Sequence, residues 1–176
     1  MLAGLCVLAA GCTSADADPT PSSAPGSGDL ESVLGRDAQM CTASPRSDAV
    51  VADIVKTVGD APVRITGVSL RSADNLEVVE TRAAPVSAGG ETRSPIGTDT
   101  WPLSKDGRWW WSAAAKANEP LSGEVLVMVH LRRKDVSRDG RAQAMEISYT
   151  NDGQARELDN NYAVRISTAC PTGPTS

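Results

Sequence analysis

The chain contains very few aromatic residues: 176 residues include four Trp, two Tyr and no Phe. Its core must therefore be built mainly from Val, Ile, Leu, Ala and Met. The chain also has a single His, His130, so a Ser-His-Asp arrangement would depend on that residue alone. His130 lies within an apolar run and no nucleophile-elbow motif surrounds it, which argues against that class of enzyme.

Other chemical signals are missing as well. There is no H-E-x-x-H, P-loop or dinucleotide-binding motif, and no C-x-x-C spacing typical of zinc sites. Acidic residues outnumber basic ones, 22 against 17, and the formal net charge is -5, whereas nucleic-acid-binding domains present a basic face. We therefore expect no nucleic-acid partner, no cofactor and no enzymatic activity. A carboxylate pair of the glycosidase kind stays open, because strands can bring such a pair together.

The N-terminal residues 1–10 are entirely apolar or small. The run is shorter than the about 20 residues that span a bilayer and has the length of a signal-peptide core. It ends in Leu8 to Cys12 (LAAGC), which resembles the lipobox of bacterial lipoproteins, although Ala9 stands where Leu is usual. The resemblance implies that residues 1–12 form a lipoprotein signal segment whose Cys12 receives a diacylglyceryl group. The alternative is an ordinary apolar N-terminus with a chance cysteine.

A linker is predicted over residues 13–36. Residues 13–28 are almost entirely Ser, Thr, Ala, Asp, Pro and Gly, a composition that buries no core and stays extended. Residues 29–36 would form a short helical turn or the end of this tether. A diacyl group supplies the two chains needed for stable anchoring, so we expect a lipid-anchored protein on the extracytoplasmic face of the cell membrane. No Lys or Arg precedes the apolar run, so we expect an upstream start or a trimmed N-terminus.

Two further cysteines, Cys41 and Cys170, bracket the rest of the chain. An even pair in an exported domain favours a disulfide, which the chain-entropy model values at up to about 5 kcal/mol for so long a loop. Two free thiols or two metal ligands are the alternative. We predict a folded domain over residues 37–171 and a short tail over 172–176.

Between these cysteines, alternating apolar residues predict short strands. Glu124–Arg132 is apolar on both faces, which is typical of a central strand. Asn151 to Gly153 (NDG) predicts a tight hairpin, and Gly67, where the apolar parity switches, predicts a β-bulge. The predicted strands cover 49–58, 63–70, 76–81, 124–132, 142–150 and a return strand ending near Thr168.

Short strands, frequent turns and little helix indicate an all-β domain, and the spacing suits an antiparallel sandwich of about seven strands. The layout combines an early Cys, a V-x-I-x-G-V-x-L strand, the G-E-V-L-V-M-V-H-L-R strand and a final hairpin ending in Cys. This layout resembles the immunoglobulin-like β-sandwich domains of exported actinobacterial lipoproteins of unknown function. The resemblance covers about Cys41 to Cys170 and implies no catalytic motif.

All four Trp lie between Val86 and Glu124, a stretch of more than 30 residues with weak strand signal. Segments of this length are usually functional or have structure of their own. If residues 109–111 are extended, two of their Trp share one face and the middle one opposes them. One hypothesis is an aromatic platform for an envelope glycan, a peptide or a partner protein; the alternative is that these side chains cover the core. The residues concerned are Trp101, Trp109, Trp110 and Trp111.

The sequence has two further features, and they give weaker signals. Met128 and His130 are two residues apart on one strand face, and such a pair could hold Cu(I); the alternative is packing on the sheet. The basic run 132–134 would be a solvated strand end that discourages edge pairing. We expect a non-catalytic binding or accessory module of the cell envelope, and we keep a copper carrier using Met128 and His130 as the alternative.

Overall fold

The computed structural model of the chain describes residues 30–34, 38–116, 118–160 and 162–170. The predicted signal segment with Cys12 and the predicted tail over 172–176 lie outside the described residues. Of the predicted linker over 13–36, residues 13–29 and 35–36 lie outside them too.

The described chain is mostly β-strand. The N-terminal strands are β1 (Leu30–Ser32), β2 (Gln39–Ala43), β3 (Asp48–Thr57), β4 (Val63–Arg71) and β5 (Leu76–Pro85). The middle segment holds a 3-10 helix (Val86–Thr92), β6 (Thr98–Thr100), α1 (Lys105–Ala113), β7 (Ala115–Lys116) and β8 (Pro120–Leu121). The C-terminal strands are β9 (Glu124–Arg133), β10 (Gly140–Ala142), β11 (Ala144–Asn151), β12 (Gln154–Asn160) and β13 (Ala163–Ser167).

These strands form a sandwich of two layers. The first layer, the main sheet, has the order β1-β3-β9-β5-β7, and β6 also pairs with β3. The second layer consists of two smaller sheets, β10-β13-β2 and β12-β11-β4-β8. The predicted all-β sandwich is therefore confirmed, and an immunoglobulin-like class is consistent with it. Pairing is antiparallel apart from β2 with β13, which run parallel.

Strand β9 is the central strand of the main sheet, as predicted. It pairs with β3 on one side and with β5 on the other, and residues 125–131 are all buried. Val125, Val127, Val129 and Leu131 face the second layer, where they join two apolar clusters. Leu126 and Met128 belong to a third cluster on the opposite face, so both faces of this strand are covered.

Two local predictions are also confirmed. Asn151 pairs with Gln154 across a two-residue loop, and the loop residues Asp152 and Gly153 have φ values of 49° and 76°. Two positive φ angles fit the twist of a tight hairpin, and Asp and Gly tolerate them. The register of β4 against β11 shifts beside Gly67, as expected for a bulge.

The ends of the domain differ from the prediction. The predicted return strand is divided into β12 and β13, which belong to different sheets of the second layer. Leu30–Ser32, within the predicted linker, pairs with β3, and Leu30 is buried. The folded part therefore begins before residue 37, since a buried Leu and a strand ladder hold this segment.

The predicted disulfide between Cys41 and Cys170 is confirmed. The two residues are 129 apart in sequence, and their Cα atoms lie 5.7 Å apart. Cys41 lies in β2, which pairs in parallel with β13, and Cys170 follows the end of β13. The bridge therefore links β2 to the segment just after β13, its neighbour in the sheet β10-β13-β2.

The predicted solvated strand end is wrong for Arg133, which is only 2% exposed. Its guanidinium donates to the carbonyl oxygens of Ser44 at 3.0 Å, Arg46 at 2.6 Å and Arg138 at 3.1 Å. A cation is tolerated in the interior only when acceptors replace its water. Here backbone carbonyls from the loops after β2 and β9 supply them, so Arg133 joins the two loops.

Replacing Arg133 by Met should lower the free energy of unfolding by about 2–4 kcal/mol, because the buried carbonyl group of Ser44 and two partly buried carbonyl groups lose their donor. Urea unfolding followed by Trp fluorescence measures the change. Lys134→Met, at an exposed neighbouring position, is the matched control and should shift stability by less than about 0.5 kcal/mol. Equal effects of the two substitutions would contradict the structural role of Arg133.

A buried carboxyl group lies between the two layers. Asp53 is fully buried on the face of β3 that carries Val51 and Val55. It accepts hydrogen bonds from the side chains of Asn160 and Ser32, while its Oδ1 atom has no partner within the described part of the chain. Burial raises its pKa to about 6, and the bonds it accepts only partly offset this.

A neutral residue at position 53 should remove a pH dependence of stability. Because the folded-state pKa of Asp53 lies above its unfolded value of 3.8, its protonated form favours folding below about pH 4, and this contribution is lost as pH rises through 6. Relative to the wild type, Asp53→Asn should therefore gain roughly 2–3 kcal/mol between pH 4 and pH 7.5. Urea unfolding of both proteins across this range measures the difference, and a difference independent of pH would contradict the assignment.

Candidate functional site

The segment between β5 and β9 folds back over the outer face of the main sheet. Leu103, Trp110, Trp111 and Ala114 pack there in one cluster with residues of β3, β5 and β9, including Met128. Residues 109–111 are not extended, the condition under which two of their Trp would share a face, but lie in helix α1. Successive side chains of a helix diverge, so the three Trp point in different directions and have different neighbours.

Helix α1 begins at a hydrogen-bonded cap. The Oγ atom of Ser104 accepts a hydrogen bond from the backbone N–H of Gly107 at 3.1 Å. Asp99 Oδ2 accepts from both the backbone N–H and the hydroxyl of Ser104, at 2.9 and 2.7 Å. A Cβ atom at position 107 would overlap the Asp99 carboxylate. The first turn of α1 is thereby fixed against β6, close to Trp101.

Trp110 has a structural role in the segment between β5 and β9. It is fully buried, and its indole N–H donates to the carbonyl oxygen of Ser94 at 3.0 Å. The 3-10 helix approaches so closely at Gly89 that a Cβ there would overlap the indole ring. Trp110 thus fits the alternative that the Trp side chains cover the core.

Trp109 lies at the margin of the same segment. It is half-buried and meets Trp110 edge-on, with ring centroids 5.0 Å apart. The guanidinium carbon of Arg93 lies 4.6 Å from its ring centroid, and Arg93 also pairs with Asp106 at 3.0 Å. Trp110 and Arg93 cover part of the Trp109 ring, and the rest of it is exposed.

Trp101 and Trp111 meet at His130. Trp101, which is half-buried, stacks on the imidazole with centroids 4.2 Å apart and planes inclined by 7°. Trp111 is 8% exposed and lies edge-on to both rings, 5.8 Å from Trp101 and 6.2 Å from His130. The imidazole therefore packs against one face of Trp101, the more exposed of the two indoles.

The imidazole is itself held by a carboxylate. His130 Nε2 lies 2.9 Å from Asp48 Oδ1, which also accepts a hydrogen bond from Arg132 Nε at 3.0 Å. Burial disfavours the charged form of Asp48, but hydrogen bonds from Ser47, Arg132 and His130 outweigh it and lower its pKa. Asp48 thus stays ionised at neutral pH and fixes the orientation of the ring beneath Trp101.

These two tryptophans line an open cleft of about 510 Å³, a volume within the range of small-ligand sites. We call it the tryptophan cleft. Besides Trp101 and Trp111, its lining residues are Arg82, Pro102, Leu103, Arg108 and Ser112. On α1, Arg108 lies three residues before Trp111 and four before Ser112, spacings that place its side chain beside both of them.

The two arginines of the cleft differ in their partners. Arg82 donates to Glu80 and to the carbonyl oxygen of Trp111, both at 2.9 Å, and its guanidinium carbon lies 4.9 Å from the Trp111 ring centroid. Arg108 donates to the carbonyl oxygen of Leu103 at 2.7 Å, and within the described residues it makes no ion pair. Among the described residues that line the cleft there is no carboxylate. The cleft is therefore aromatic on one side and cationic on another.

The geometry gives no support to the copper hypothesis. Met128 is fully buried in the cluster beneath α1, and the Nε2 atom of His130 is engaged by Asp48. Across the described chain, no three or more His, Cys, Asp or Glu side chains form a group suited to a metal ion.

Comparisons with known proteins leave the family of the chain open. No protein-family model matches it, and no curated protein sequence is significantly similar to it. In the parts that the structure describes, none of the helices has the length and apolar character of a membrane span.

Sequence reasoning named the four Trp but missed Arg82 and Arg108. A helical assignment of residues 105–113 would have placed Arg108 beside Trp111, but an extended one does not. Arg82 reaches the cleft from β5, and no local pattern indicates that.

The structural role of Trp110 predicts a clear difference in stability between two neighbouring tryptophans. Trp110→Ala should lower the free energy of unfolding by about 3–5 kcal/mol, because it removes a large, fully buried side chain. Trp109→Ala should cost clearly less, since that ring is half-buried. Urea unfolding followed by circular dichroism compares the two variants, and similar losses would contradict this division.

Proposed function

We propose that this protein is a lipid-anchored, extracytoplasmic binding module of the cell envelope without catalytic activity, and that it binds its ligand in the tryptophan cleft. The observation that carries the proposal is the pairing of Trp101 and Trp111 with Arg82 and Arg108 around one open cleft. Aromatic rings supply contact area with little loss of conformational freedom, and the guanidinium groups add directional donors.

The walls of the cleft favour binding because their positions are fixed before a ligand arrives. Trp101 rests on His130, which Asp48 holds, and the start of α1 is capped by Ser104. Ordering side chains on binding costs free energy, so groups that are already fixed make association stronger. The stacking also explains the single histidine as a support for the site rather than a reactive group.

The membrane anchor is supported by three features of the chain. Residues 8–12 resemble a lipobox, a polar linker follows them, and the domain carries the disulfide between Cys41 and Cys170. Disulfides persist in oxidising compartments outside the cytoplasm. The resemblance to exported actinobacterial lipoproteins agrees with this location.

Replacing Cys12 by Ser should release the protein from the membrane, because the hydroxyl cannot take the thioether-linked lipid. Fractionation of cells producing each form, with mass spectrometry of the N-terminal peptide, measures the change. Cys6→Ser is the matched control and should leave the protein in the membrane fraction. Membrane retention of the Cys12→Ser protein, or an unmodified Cys12 in the wild type, would disprove the anchor.

The cleft is tested with isolated envelope material from the native cells. The lipid-free domain should bind this material, and Trp101→Ala should weaken binding by about tenfold or more, as expected when an aromatic anchor is lost. Trp109→Ala is the control, since Trp109 does not line the cleft, and it should leave binding nearly unchanged. Equal binding by wild type and Trp101→Ala would show that the cleft is not the site.

A further inference from the structure

We propose that the tryptophan cleft recognises a pyranose ring that bears a carboxylate, the chemistry of a hexuronate unit in an acidic polysaccharide. The sugar ring would pack on Trp101, and Arg108 would bind the carboxylate. This inference rests on the proposed function and specifies the class of ligand for the same site.

The charge in the cleft selects an anion. The chain as a whole carries a net charge of -5, yet the described residues that line the cleft include two guanidinium groups and no carboxylate, and Glu80 pairs with only one of them, Arg82. Such a local concentration of positive charge in a concave site focuses the field and attracts anions despite an acidic surface elsewhere. A neutral ligand would leave the charge of Arg108 without a partner.

Arg108 is the group best placed to bind the anion. Its Nη1 atom donates to the carbonyl oxygen of Leu103, which orients the guanidinium and leaves further N–H donors. Arg82 is already paired with Glu80, so its charge is largely balanced. One unbalanced guanidinium matches one carboxylate, and its planar fork fits that group with two parallel hydrogen bonds.

The aromatic side of the cleft selects a ring. Trp101 is half-exposed and held in place by His130, while Pro102 and Leu103 add apolar surface beside it. The C–H face of a pyranose is apolar and packs on an indole ring, whereas its hydroxyl groups bind to polar side chains at the rim. Ser112 provides such a partner: its hydroxyl donates to the carbonyl oxygen of Trp109 at 2.9 Å and can still accept a hydrogen bond.

The ligand class is tested by calorimetric titration of the lipid-free domain. The probes are a trimer of galacturonate, the matched neutral trimer of galactose, and galactose 6-phosphate. The uronate should bind about tenfold or more tightly than the neutral trimer, and its affinity should fall as salt is raised, because the added contact is a charge-assisted hydrogen bond. The phosphate should bind more weakly than the uronate.

Substitutions assign the contacts. Arg108→Gln should reduce uronate affinity about tenfold and leave the affinity for the neutral trimer unchanged. Arg46→Gln is the matched control, because Arg46 is exposed and lies outside the cleft lining. Trp101→Ala should weaken the binding of both the uronate and the neutral trimer. Circular dichroism of each variant checks that it is folded.

The outcomes separate this inference from the proposed function. Equal affinity for the uronate and neutral trimers, an unchanged affinity of Arg108→Gln, or tighter binding of the phosphate would overturn the ligand class. If none of the probes binds while envelope material still binds through Trp101, the ligand class is wrong and the proposed function stands. If envelope binding does not depend on Trp101, both are wrong.

Discussion

The strands β3 and β9 carry apolar side chains on both faces, and both faces have to be covered by other parts of the chain. One face of these strands is covered by the second layer of the sandwich. Val50, Leu126 and Met128 project from the other face, and exposure to water would cost the free energy that their burial provides. The segment between β5 and β9 therefore has to fold back, and in a chain without Phe its tryptophans supply much of the cover.

This cover also produces the candidate site. Trp110 fills the centre of the interface, and the flanking rings of Trp101 and Trp111 turn one margin of it into a cleft. His130 connects the two roles, because it projects from β9 on the same face as Met128 and stacks under Trp101. A side chain of the most buried strand thus orients the most accessible indole of the proposed binding site.

The buried polar groups show how the fold accommodates charge. Arg133 is surrounded by carbonyl oxygens from two loops, so its burial fixes loop positions. Asp53 has fewer partners than its two oxygens can use, and one of these partners, Asn160, ends β12 at the point where the chain passes to another sheet. Burying this carboxyl group costs free energy. In return, its hydrogen bond with Asn160 links β3 to the crossover between the two sheets.

Features that depend on neighbouring residues can be predicted from the sequence. The hairpin at Asp152–Gly153 and the bulge at Gly67 follow from local backbone preferences, and the central position of β9 follows from apolar residues at every position. The cysteine pair indicated its disulfide because no other cysteine remains in the predicted domain. The packing of distant segments, by contrast, makes residues 105–113 helical, since burial of Trp110 and the Ser104–Asp99 cap outweigh the weak propensity of a Gly-containing Trp run. It also decided the burial of Arg133 and the meeting of Arg82, Trp101 and Arg108, because these depend on atoms contributed by distant segments.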